Sequence, residues 1–522
     1  MRTVPSRGKY TAALAGILLG CLLAGPISGS ASAADGPCYS PPSKPGAISH
    51  VNYSGMKSML FCYGPMTVRP GQNTIGVATK YLMPTIPGWI TRFDPDLIYA
   101  DPRKGTKGVP NVDVIHLHHA IWSGMGDDYP RWDGGEEKSI FQLPKGFGWL
   151  NDPTKPIELT HMIHNQYPTT EKVYLTWRID FVPATSPDAA KIKRVQTLWL
   201  DVTGFKLNGF SALRGTGSGG KFTFPDQATP EALAQRGDHN RFVADQDMTL
   251  VEAVGHLHPG GLTAELKVLR GAASRTIFTS SAKYWEPAGA VSWDVALTAT
   301  PANWRVKVKS GDVLVPSATY DVSKSSWYES MGVIPVFANY GNSTPGKDPF
   351  LSRLVSTTGK ITHGHLAENN HHGGNAVTGS TIATALPNGL PSDGLTVPIS
   401  DFIYSLGDFS NSGAALNPPT VTAGGSFTFR NDDVTGDPTT DYSYHTITAC
   451  ANPCNRATGI SYPRADGPLE FDSGQLGSGP IGATVAAQRR TWTIPNDLPT
   501  GTYSYFCRVH PYMRGAFRVV PR

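Results

Sequence analysis

The sequence predicts an all-β chain made of stacked β-sandwiches. Short runs of alternating apolar residues recur at Val112–His119, Lys172–Val182, Thr197–Val202 and Leu262–Leu269. A period of two marks a strand with one buried face. Gly and Pro punctuate these runs and are abundant, at 56 and 43 of 522 residues. Long helical periods are scarce, and the expected helices are short, such as Pro230–Arg236 with Pro at its first position.

The chain begins with Arg2, Arg7 and Lys9, then an apolar run from Tyr10 to Leu23 and small residues ending at Ala33. This reads as a secretory signal peptide (1–33) cut after Ala33, so the mature protein is expected to be extracellular. The apolar run is short for a spanning helix. Leu18–Cys21 also resembles a lipoprotein cleavage box, but Leu19 is unusual there and the run continues past Cys21. The remaining length suits about three domains of ~150 residues. One sandwich is expected over 34–195 and a second over 196–345. A connector rich in Gly, Ser, Thr and Asn spans 346–395, and a third sandwich spans 396–522.

The net charge is +4, without a basic patch that would suit nucleic acid and without a second apolar run that would suit a membrane. Of six cysteines, Cys21 leaves with the signal and Cys507 belongs to the motif below. The remaining Cys38, Cys62, Cys450 and Cys454 fit two disulfides outside the cell, and proximity favours Cys38 with Cys62 and Cys450 with Cys454. Gly215–Phe222 nearly spells a phosphate loop, but Phe222 stands where a magnesium-binding Ser or Thr is needed, so a plain loop is expected. No Ser-His-Asp arrangement suggests a hydrolase.

The carboxy-terminal motif is the strongest signal. Cys507, His510 and Met513 stand at three-residue steps after the aromatic run Tyr503–Phe506, with His445 upstream. Two imidazoles, a thiolate and a thioether are the donor set of a blue-copper electron-transfer site. The spacing resembles the short-loop cupredoxins over 396–522. That resemblance implies a Greek-key sandwich, one type 1 copper and an electron exit at the His510 edge.

Histidines also group in the front half: His116, His118 and His119; His161 and His164; His256 and His258; then His363, His365, His371 and His372. Residues two apart on a strand share a face, so His256 and His258 can serve one metal. The adjacent His118 and His119 need a bulge before both can do so, and His116 replaces His118 if the bulge lies elsewhere. His161 either ligates or hydrogen-bonds His164. The 363–372 tract is either a further metal site or a solvated loop.

In order and spacing these groups resemble the copper type II monooxygenases, such as peptidylglycine α-hydroxylating monooxygenase and dopamine β-monooxygenase, over about 45–345. The resemblance implies two jelly-roll-like sandwiches, each with a mononuclear copper. The first would be held by His118, His119 and His164 and would receive electrons. The second, held by His256, His258 and Met331, would meet dioxygen and an organic substrate. Electrons would come from a small-molecule reductant or a redox protein, one at a time through the third sandwich. Three positions depart from the family's pattern. Val254 and Pro335 replace an Arg and a Tyr that grip a substrate carboxylate, which argues against a glycine-extended peptide substrate, and Met162 stands where the family has a Gln. Trp122 and Trp327 flank the motifs and either line a pocket or pack in the core. The expected function is a secreted multi-copper oxidoreductase, with a non-catalytic electron-transfer or copper-binding protein as the alternative.

Overall fold

The computed structural model describes residues 38–522 except 81, 113, 125–130, 168, 203–220, 225–239, 286–289, 291–292, 322–330, 352–356, 370–388, 409–416, 434–444, 451–468, 474–475, 477–489, 508–509 and 511–512. The signal segment, the expected helix at 230–236, most of the phosphate-loop lookalike, Trp327, His371, His372 and Cys454 lie outside these residues. The fold is all-β, as the alternating runs predict, and among the described residues helical structure is limited to short 3-10 turns such as Ala189–Lys191 and Ala367–Asn369. No described helix is long and apolar enough to cross a membrane.

The first pair of sheets encloses a core rich in aromatic rings. One sheet runs in the order Lys57–Val68, Glu171–Pro183, Gly88–Tyr99, Phe147–Asn151, Lys193–Arg194. The other runs Asn73–Lys80, Ile157–Asn165, Ile115–Gly124, Trp132–Gly134. Between them Phe93 stacks on Trp132 with ring centroids 4.6 Å apart, and meets Trp122 edge-on at 4.9 Å. Trp122 is thus a packing residue, fully buried in this core.

The second pair holds Gln196–Asp201, Gly332–Tyr340, Met248–Ala253 and Val306–Val308 in one sheet, with His256–Leu257 paired to Gly332–Tyr340. The facing sheet contains Lys221–Phe224, Val313–Asp321, Gly261–Arg270 and Ala273–Ser281. Leu198, Leu250, Leu266, Val268, Phe278 and Val336 fill the space between. The two cores touch: Val251, Val254, Ala299 and Phe337 pack with the first core, where Phe337 meets Trp149 at 4.9 Å.

The third pair is separate in composition. Leu390–Pro391, Pro419–Thr422, Arg514–Val520, Gly501–Phe506, Thr448–Cys450 and Leu469–Asp472 form one sheet. Ile403–Tyr404, Thr396–Ser400, Thr428–Asn431 and Thr491–Thr493 form the other. Its core, from Val397 to Val519, draws on no residue of the front half. From the connector, Lys360–Ile361 pairs with Thr298–Ala299.

Cys38 and Cys62 form a disulfide, the first of the two expected pairings. The second involves Cys454 and lies outside the described residues.

Candidate metal centres

The carboxy-terminal motif folds into a closed cage. Strand Gly501–Phe506 ends at Cys507, and the chain turns back through His510 and Met513 into strand Arg514–Val520. Backbone bonds tighten the turn: Cys507 N donates to Met513 O at 3.1 Å, and Met513 N to His510 O at 2.9 Å. Cys507 Sγ lies 3.9 Å from His445 Nδ1 and 3.7 Å from His510 Nδ1, and the two Nδ1 atoms are 3.2 Å apart. With metal–sulfur and metal–nitrogen bonds of roughly 2.3 and 2.0 Å, one ion fits among these three atoms. Met513 is fully buried in the same core, a thioether at the turn that closes the cage.

Two N–H groups, of Thr446 and His510, point at the sulfur from 3.4 and 3.3 Å. Asp433 fixes the first imidazole, its Oδ2 lying 2.7 Å from His445 Nε2. A carboxylate on the far nitrogen sets the tautomer of a ligating histidine. Burial works against charge on His445, but the Asp433 contact and the sulfur prevail and hold its pKa up at about 9. Asp433 also accepts N–H bonds from Asp401 and Phe402, and the Phe402 ring stands 4.9 Å from His510. The sequence offered no signal for Asp433 or Phe402.

In the front half, one strand irregularity aims the histidines. Along Ile115–Gly124, Ile115 and Leu117 point into the first core, and so do Ala120 and Trp122. The phase changes between them, and the pairing with Ile157–Asn165 shifts between Leu117 and His119. This is the bulge an adjacent pair requires, and His118 and His119 both escape the core face. His116 pairs directly opposite His164. His161 has the parity of the core residues Leu159 and Ile163, away from His164, and lies edge-on to Tyr63 at 5.5 Å.

The ligand atoms gather in two groups, each within 4.8 Å: His116, His118 and His164, and His118, His119 and His258. This grouping differs from the expected partition. His116 joins the first set, and His258 of the second sandwich joins His118 and His119 of the first. His256 sits beside them, its ring 5.0 Å from that of His258. Trp293 stands among the imidazoles, 4.6, 5.1 and 4.7 Å from His116, His118 and His258.

Neighbouring polar groups orient this cluster. Gln166 Nε2 approaches His116 Nδ1 at 3.2 Å, and His116 Nε2 has no hydrogen-bond partner among the described residues. Glu137 Oε1 lies 2.9 Å from His256 Nδ1 and accepts Gly135 N–H at 3.0 Å. Again the other nitrogen, His256 Nε2, has no partner among the described residues, and the same holds for both ring nitrogens of His164. Buried imidazole nitrogens left so are costly unless something else binds them. Burial lowers the pKa of His119 and His164 to about 3, and pushes His116 and His118 well down, so these rings stay neutral and keep a lone pair. His256 differs: burial opposes its charge, but the Glu137 carboxylate prevails and raises it.

The backbones of Met331 and His258 are brought together by Tyr320. Its hydroxyl accepts N–H bonds from His258 at 3.3 Å and from Met331 at 2.9 Å, and donates to Met331 O. The Met331 side chain packs with Trp199 and Val333. Val254 and Pro335, two of the three departures, are joined by a backbone bond of 3.3 Å and are both buried. Met162 pairs opposite His119.

The two described connector histidines, His363 and His365, join neither group among the described residues. His363 is held between the carbonyls of Gly364 and Glu137, at 2.8 and 2.6 Å. His365 meets Asp294 Oδ2 at 3.0 Å and Asn369 O at 2.7 Å, and stacks on Trp285. Their visible role is to fasten the connector beside the loop that carries Glu137.

The two centres adjoin. The His510 ring stands 5.8 Å from that of His164, edge to face, across the boundary between the third sandwich and the first.

Comparison with known proteins adds no family. No protein-family model matches the chain, and no curated protein matches it. Among solved structures, a copper-containing nitrite reductase from Thermus scotoductus is similar at 13% identity and a TM-score of 0.15, over 54% of this chain and 59% of that one, so under two thirds of its length. A structure of infectious bursal disease virus matches at 10% identity and a TM-score of 0.16, over 58% of this chain and 77% of that one. Such scores define no shared architecture, and the functional reading rests on the site.

Proposed function

We propose that this chain is a secreted copper oxidoreductase in which a blue-copper cage of His445, Cys507, His510 and Met513 passes electrons to a histidine-held copper centre between the front sandwiches. The observation that carries this is the His510–His164 contact at 5.8 Å. The edge from which such a cage gives up electrons lies against a residue of the second donor set. When bound, copper would supply one-electron transfer at the cage and dioxygen chemistry of the monooxygenase kind at the imidazole centre. The chain's own part is to hold the cage rigid, keep the front imidazoles neutral and exclude water around them. A small-molecule reductant or redox protein is the proposed donor, with dioxygen and an organic molecule as substrates. The Cys38–Cys62 disulfide supports an oxidising compartment.

A single-turnover experiment tests the relay. The fully reduced, copper-loaded chain is mixed with dioxygen and the return of the band near 600 nm is followed, that band being expected of a Cu(II)–thiolate bond at roughly this wavelength. In wild type the band returns rapidly, because electrons leave through the front centre. In His256→Ala and His258→Ala variants its return slows at least tenfold. Equal rates would remove the relay. Cys507→Ser abolishes the band while the front half keeps its copper; survival of the colour would show a wrong ligand assignment.

One observation favours a second reading, electron transfer or copper storage without turnover. Val254 and Pro335 are buried and bonded to each other through their backbones, so neither offers a group that could grip a substrate carboxylate. Reductant-dependent oxygen uptake separates the two readings.

A further inference from the structure

We propose that His118 bridges two metal ions as an imidazolate, one ring nitrogen to each ion and its ring proton released to solvent on metal loading, so that the front-half histidines hold one coupled pair instead of two remote mononuclear sites. The inference deepens the copper reading above and rests on it. Two ligands of one ion, with bonds of about 2.0–2.1 Å, lie no more than about 4.2 Å apart. Five imidazoles gather here, yet they fall into two groups within 4.8 Å and not into one. One ion therefore cannot take all five. His116 and His164 define one pole, His119 and His258 the other, and His118 alone belongs to both.

The local structure supports a shared residue. His118 sits at the bulge and is buried among rings, 5.9 Å from His116, 6.3 Å from His164, 5.4 Å from His119 and 4.7 Å from His258. Each pole has a further donor or outer support. At the first, His164 has two buried nitrogens without a hydrogen-bond partner among the described residues. At the second, Glu137 orients His256 beside His258. The second pole draws on both sandwiches, so the pair forms only when they are docked. With His510 beside His164, the blue-copper cage, the first pole and the second pole follow one another in a line of contacts.

The test counts ions and spins on the full chain. Copper-loaded protein is oxidised with ferricyanide, its copper is measured by mass spectrometry, and the X-ray absorption edge verifies Cu(II). The expected result is about three coppers per chain but only about one spin by paramagnetic resonance at liquid-helium temperature, that of the Cys507 centre, because two Cu(II) ions joined by an imidazolate couple antiferromagnetically. Cys507→Ser keeps the pair and loses nearly all intensity, and needs no change in the front half. His118→Ala breaks the coupling, leaving at most one front-half copper with an isolated Cu(II) spectrum. As many spins as coppers in wild type, or a single front-half copper, overturns the shared ligand. Absence of bound copper and of the blue band would instead sink the copper reading as a whole, so the two failures are distinct.

Discussion

Lys138 has no exposed side-chain surface, and its Nζ lies 3.0–3.1 Å from carboxylates of Asp96, Glu136 and Glu368. Glu136 in turn accepts the Leu117 N–H at 2.9 Å, one residue from the bulge. A buried charge set of this kind is damaged by losing one partner far more than by replacing all. Lys138→Met should therefore cost roughly 3–5 kcal/mol in urea unfolding; a loss within measurement error would show that the carboxylates need no cation. Gly135 has a steric task, since a Cβ there would come within 2.7 Å of His256 Cε1 and 2.5 Å of Glu137 Oε2. Displacing an outer partner of a ligand typically costs 10–100-fold in metal affinity. Gly135→Ala should weaken front-half copper by about that factor and leave the blue band unchanged. Glu252 gives a pH handle away from the ligands. Burial leads and raises its carboxyl to about 8 from the ordinary 4.5, only partly relieved by the Gln142 N–H and by Arg305 and Arg92. The folded chain thus keeps a proton that the unfolded chain releases. The stability from this group is whole below the ordinary value and is lost as pH rises through about 8. Glu252→Gln should lose less Tm than wild type on going from about pH 5 to about pH 9; parallel curves would refute the assignment.

Strands explain which parts of the site were legible. The three-step spacing of Cys507, His510 and Met513 is local, so its chemistry could be read directly, and the structure brings Cys507 and His510 together with His445. The adjacent His118 and His119 demanded a bulge, and the bulge lies between the core residues Leu117 and Ala120. What escaped the sequence is non-local. Glu137, Trp293 and Tyr320 reach the histidines from turns and strands distant in the chain, and no spacing rule links them. The pairing of His258 with His118 and His119 depends on how two sandwiches dock, which strand periodicity does not encode. The glycines were the one neglected hint: Gly255, before His256, would place a Cβ 2.5 Å from Ser280, so the backbone there is pressed close against its neighbour. The disulfide acts at this scale too. It ties the chain at Cys38 to strand Lys57–Val68 across a separation of 24 residues. Replacing both cysteines by Ser should lower stability by about 3 kcal/mol, read as a lower urea midpoint.

At the scale of the molecule, the cores predict how the chain comes apart. The first two cores interlock through Val251, Val254, Ala299 and Phe337, so neither front sandwich keeps its packing without the other. The second imidazole group also needs both, since His258 comes from one sandwich and His118 and His119 from the other. The third core is self-contained and meets the front half where His510 faces His164. Multi-domain chains depart from two-state unfolding when their cores are independent. Calorimetry of the copper-free chain should therefore show two transitions, one for the front half as a unit and one for the carboxy-terminal sandwich. Copper binds the folded state, and at a thousandfold excess over Kd it adds about 4 kcal/mol to whichever unit holds it. Both transitions should then rise on loading, whereas in Cys507→Ser only the front one should. Three transitions in the copper-free chain would mean that the front cores are not one unit. A loading shift confined to the carboxy-terminal transition would mean that the front histidines hold no metal, and the relay would have no acceptor.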